Sequence, residues 1–114
     1  MNPSDPDSNP LPAKGWRLVP GVQTPLAGGI VSEPIAVSGP VRVTRFRFAA
    51  GAVMEEHTTT RNALVQMVEG ECDFTVGGAV RRIKAGDLLL MEPGEPHALA
   101  ASAGPFTFIL TTFK

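Results

Sequence analysis

The chain has 114 residues, 43% of them hydrophobic and 18% charged, and a net charge of −1, which leaves room for one ordinary globular domain. No run of Lys and Arg is dense enough for a nucleic-acid stripe, and no apolar run reaches membrane-spanning length. A lone cysteine, Cys72, excludes an internal disulfide framework.

Residues 1–14 hold mostly Asn, Pro, Ser and Asp, the composition of a disordered or loosely held arm. This segment has neither the basic start nor the apolar stretch of a signal peptide, so the cytoplasm is the default compartment. Residues 15–114 form the expected domain. Gly and Pro punctuate it at short intervals, and the runs between them predict many short strands and little helix. Val41–Phe48 alternates, with Val41, Val43, Arg45 and Arg47 on one face and Thr44, Phe46 and Phe48 on the other. The two arginines read as a solvated face. Residues 63–69 are nearly continuous apolar. Cys72, Phe74 and Val76 then alternate with Glu71, Asp73 and Thr75, and Gly77-Gly78 supplies a tight hairpin turn. Cys72 on this strand reads as a small buried apolar side chain. Residues 80–83 return, Leu88–Met91 is apolar, and Phe106–Phe113 closes the chain as a β-branched and aromatic strand. No apolar stripe of helical period runs over ten or more residues, so the fold class is all-β, a sandwich or barrel.

Two spaced motifs lie within this pattern. The first reads Gly51, five residues, His57-Thr58-Thr59, then Ala63 and, seven further on, Gly70. The second reads Gly86, five residues, Glu92-Pro93-Gly94, then His97 and Ala101. Across about half the chain this resembles the cupin superfamily, and the flanking strands fit the same barrel. The resemblance implies a double-stranded β-helix, the jelly-roll barrel of RmlC-like proteins. It matches at Gly51, His57, Gly70, Gly86, Gly94 and His97. The glycines fall where strands must turn.

The departures concern chemistry. Family metal sites use three histidines and a glutamate, a set suited to divalent transition metals. Here the second histidine of the pair is Thr59 and the glutamate position is Ala63, so His57 and His97 remain. A retained catalytic metal normally has three protein ligands, and two imidazoles alone make a weak site. On a regular strand Glu55 points the same way as His57 and completes a His57, His97 and Glu55 set. Without a metal, the two imidazoles face each other in a pocket. Ala63, Val65 and Met67 line the same inward face as His57, and Leu99 follows His97 inward. With Thr59 these residues outline an apolar lumen suited to a small, partly apolar ligand, or simply a filled barrel.

The chain has no tyrosine. The His-Tyr mechanism of family epimerases and the Cys-Tyr crosslink of related thiol dioxygenases are therefore not available to it. The expected function is binding of a small molecule in the lumen near His57 and His97. The alternative is a metal-dependent oxygenase or isomerase with a reduced ligand set. Small cupins commonly pair through an outer sheet, and a homodimer is expected, without nucleic acid or membrane as partner.

Overall fold

Gly77 and Gly78, at φ 56° and 84°, occupy the left-handed region that glycine enters without strain, and they turn the chain between two strands. In the computed structural model, which describes residues 24–114, these two strands belong to a set of nine. In chain order these are β1 (Ile30–Ser38), β2 (Val41–Phe48), β3 (Val53–His57), β4 (Asn62–Glu69), β5 (Glu71–Val76), β6 (Ala79–Lys84), β7 (Leu88–Met91), β8 (His97–Ala100) and β9 (Phe106–Phe113). The expected arm, 1–14, and the first residues of the expected domain lie outside the described residues.

The strands form two antiparallel sheets. One has the order β1-β2-β9-β4-β7, the other β3-β8-β5-β6. No helix occurs among the described residues, and so none that is long and apolar enough to cross a membrane. This is the double-stranded β-helix expected from the sequence. β2, β7 and β9 coincide with the expected strands. β1, β3 and β8 were not separately anticipated. β1 carries Pro34 in its middle, which weakens the strand signal; the sheet tolerates it because β1 is an edge strand with an irregularity between Pro34 and Ala36.

The core forms where the inward faces meet. β2 and β9 run side by side, so Phe46 sits opposite Phe108 and Phe48 opposite Phe106. Their rings stack with centroids 5.0 and 4.4 Å apart. Phe48, Phe74, Phe106, Val65 and Cys72 are the largest fully buried side chains. Each large one contributes about 1.5–3 kcal/mol on leaving water. Burial pushes the Cys72 thiol up to about 12, so it stays protonated and acts as an apolar filler. Gly70, at φ 74°, turns β4 into β5; a Cβ there would run into the Pro105 carbonyl oxygen and crowd Phe106. The spaced motif needs a glycine at this point for a steric reason.

The closing strand β9 lies between β2 and β4 in the middle of its sheet, so it is not an edge strand. Exposed apolar side chains stand on the edge strands instead: Leu88 and Leu90 on β7, Val37 on β1, Val53 on β3 and Val80 on β6. The face of Arg45 and Arg47 is not freely solvated. β1 places Glu33 directly opposite Arg45. Arg45 Nε and Nη2 donate to the two Glu33 carboxylate oxygens at 3.0 and 3.2 Å, and Arg47 approaches the same carboxylate at 3.6 Å. The partner strand was the missing information.

Candidate functional site

The site follows from the pairing of β3 with β8. Met54 lies opposite Leu99 and His57 opposite His97, so three steps on β3 match two on β8. Glu55 and Glu56 therefore share Ala98 as partner, the geometry of a β-bulge. The extra residue resets the alternation: Met54 and His57, three apart, both face the lumen. Opposed residues on paired strands have Cβ atoms about 4.5–5.5 Å apart, which brings the two rings together. Their centroids lie 4.1 Å apart at 63°. The histidines thus sit side by side on one sheet, not on facing parts of the barrel.

Each ring is held by its own chain. His57 Nδ1 lies 2.9 Å from the Glu55 carbonyl oxygen, and His97 Nδ1 lies 2.9 Å from the Glu95 carbonyl oxygen. His97 is buried, 7% exposed, and nearly parallel to Phe74 at 6.3 Å. His57 is exposed and marks the mouth. Behind the pair lies a cavity of about 100 Å³. One sheet contributes Met54, Phe74 and Leu99 to its wall; the other contributes Phe46, Val65, Met91, Phe108 and Leu110. Among the described residues that line it, the imidazoles are the only groups able to hydrogen-bond through a nitrogen or oxygen of the side chain. Two larger surface hollows, about 380 Å³ beside Arg47 and about 670 Å³ beside Arg81, contain neither histidine. We place the site by its polar groups, not by volume.

Of the residues expected around a pocket, His57, Val65, His97 and Leu99 border this cavity. Ala63 and Met67 share the buried face of β4 with Val65 but are packed into the core away from it. Thr59 lies in the loop after β3. Its hydroxyl accepts from the Arg61 backbone N–H at 3.2 Å, and its carbonyl accepts from the Gly94 N–H at 2.8 Å. It clamps the two motif loops together. Phe46, Met54, Phe74, Met91, Phe108 and Leu110 were not anticipated as lining. The alternation of Phe46 in β2 and Phe74 in β5 was a usable signal; Met54 was hidden by the bulge.

Glu55 does not join the imidazoles through its carboxylate. The bulge turns its side chain off the lumen face, it is exposed, and it meets His57 through its backbone carbonyl. Among the described residues no group of three or more His, Cys, Asp or Glu is placed to hold a metal ion. Tested on this donor set, the divalent metal implied by the cupin resemblance does not fit as a centre with three protein ligands.

No curated protein matches the chain in sequence. Solved structures do. A cupin superfamily protein from Desulfitobacterium hafniense is 23% identical with a TM-score of 0.74, over 80% of this chain and 83% of that one. A cupin 2 conserved barrel domain protein from Leptotrichia buccalis is 27% identical with a TM-score of 0.76, over 82% of this chain and 45% of that one. The DMSP lyase DddQ from Ruegeria pomeroyi is 20% identical with a TM-score of 0.69, over 75% of this chain and 47% of that one. The cupin domain family model matches residues 44–112, from the middle of β2 to the end of β9, and so takes in both motifs, both histidines and most of each sheet. By this match and by its jelly-roll architecture, the chain belongs to the cupin domain family.

Proposed function

We propose that the chain binds a small, partly apolar molecule in the barrel lumen, anchored by His57 and His97. The observation that carries this reading is the contact of two imidazoles, 4.1 Å between centroids, at the mouth of an otherwise apolar cavity. A buried ring nitrogen without a partner costs about 1–3 kcal/mol, and a ligand's polar head removes that cost. The volume suits a compact molecule or the end of a longer one. The fold does not choose an activity, since the same barrel serves the lyase from Ruegeria pomeroyi and the protein KdgF from Halomonas.

A metal-dependent enzyme is the second reading. The observation in its favour is the carbonyl bonded to each Nδ1, an arrangement that also orients metal-ligating imidazoles. The residues present supply two donors to it, and no reaction step is derived through a metal.

Thermal denaturation across a panel of small organic molecules tests the binding reading, together with elemental analysis after metal-replete expression. The expected result is a raised Tm for one or more panel members, corresponding to about 2.7 kcal/mol at a hundredfold excess over Kd. The His57→Ala and His97→Ala variants should lose that response. A full equivalent of metal that both variants lose would move the assignment to the second reading. No rise with any molecule, and no metal, would overturn both.

A further inference from the structure

Both imidazoles use Nδ1 in the same way. Its partner is a backbone carbonyl oxygen in each ring, at 2.9 Å. A carbonyl oxygen carries no hydrogen, so Nδ1 must be the donor. In the neutral ring the single proton then sits on Nδ1, and Nε2 is left as a bare lone pair. Two such acceptors stand beside one cavity, with ring centroids 4.1 Å apart. Among the described residues, the other side chains of its wall are all Phe, Met, Val or Leu and offer neither an N–H nor an O–H donor. The histidines cannot satisfy each other in this tautomer, because each presents an acceptor.

We propose, resting on the binding reading above, that the lumen selects a ligand whose head donates hydrogen bonds to both Nε2 atoms. A primary ammonium group, with three N–H donors, meets that demand; an alcohol, with one O–H, reaches only one of the two, and a carboxylate is discriminated against. A carboxylate brings only acceptors to a place that already holds two. The charge of the surrounding chain acts in the same direction. The segments carrying the histidines hold Glu55, Glu56, Glu92 and Glu95 and no Lys or Arg. The hydrogen bond from the Gly94 N–H to the Thr59 carbonyl brings these two segments together. Arg61, just beyond them, is committed to Thr112 and to the Pro40 carbonyl. The cavity of about 100 Å³ holds roughly the volume of three waters in the liquid, which limits the buried body to a short branched hydrocarbon.

Three molecules with one body and different heads test this: isobutylamine, isobutanol and isobutyrate, each titrated calorimetrically into the full chain at pH 8. A long-range ¹H–¹⁵N spectrum of the imidazoles accompanies the titrations. The amine should bind most tightly, the alcohol more weakly, and isobutyrate about tenfold or more weaker than the amine. Both Nε2 resonances should be those of an unprotonated nitrogen. Isobutyrate binding as tightly as the better of the other two overturns the proposal while leaving the binding reading intact. A proton on Nε2 of either histidine does the same. Binding by none of the three overturns this proposal, and the wider panel then decides the binding reading.

Discussion

His57 and Glu33 owe their surroundings to the residue directly opposite on a neighbouring strand: His97 for one, Arg45 for the other. The chemistry of each residue could be read from the sequence; its partner could not. The Arg45 hydrogen bonds, assisted by the positive charges of Arg45 and Arg47, hold the Glu33 carboxyl below its ordinary range. Asp73 is lowered in the same direction by a hydrogen bond from Arg82 at 2.7 Å and another from Ser102. A carboxylate whose folded pKa lies below its unfolded value stabilises the fold above the unfolded value. That contribution is lost as pH falls through the folded pKa. The urea midpoint should therefore fall on acidification from about pH 5 to about pH 3, across the unfolded carboxylate range. The Glu33→Gln variant should be less stable than the wild type at neutral pH, with the difference narrowing as pH drops. A difference that widened on acidification would contradict the assignment of the Glu33 pair.

At the scale of elements, the alternation of β2 and β5 and the Gly77-Gly78 turn were legible because period and turn chemistry are local. The bulge in β3 was not. It arises from the match between β3 and β8, and a strand read alone gives no sign that Glu55 and Glu56 will share one partner. That single irregularity decides the site. With regular alternation Glu55 would join His57 on the lumen face; with the bulge Met54 does, and the site is apolar instead of acidic. Deleting Glu56 should restore two-for-two pairing and leave Met54 and His57 two apart, so that both still face the lumen opposite Leu99 and His97. The expected outcome is a retained ligand response, with an unchanged β-sheet circular dichroism spectrum. Loss of the response in a folded variant would show that pairing with β8 does not place the histidine.

On the scale of the whole molecule, the spaced glycines and the two histidines were enough to read the barrel from the sequence. The lining was harder, since Phe46, Phe74, Phe108 and Leu110 of the cavity wall come from strands outside both motifs. Leu88 and Leu90 on edge strand β7 are 66% and 62% exposed. Apolar side chains on an open strand edge are an association surface. We propose that a second copy of the chain covers them: light scattering at micromolar concentration should give twice the chain mass, and replacing both leucines by lysine should give the monomer. A monomer mass for the wild type would contradict this. The central claim is that the lumen beside His57 and His97 receives a ligand, and the methionines report on it. Met54 and Met91 line the cavity, and Met67 is buried outside it. In a ¹³C-methyl-methionine spectrum titrated with isobutylamine, Met54 and Met91 should shift and Met67 should stay, and the shifts should vanish in a folded His57→Ala/His97→Ala variant. Movement of Met67 without the two lumen methionines, or an equal response in the double variant, would contradict the account.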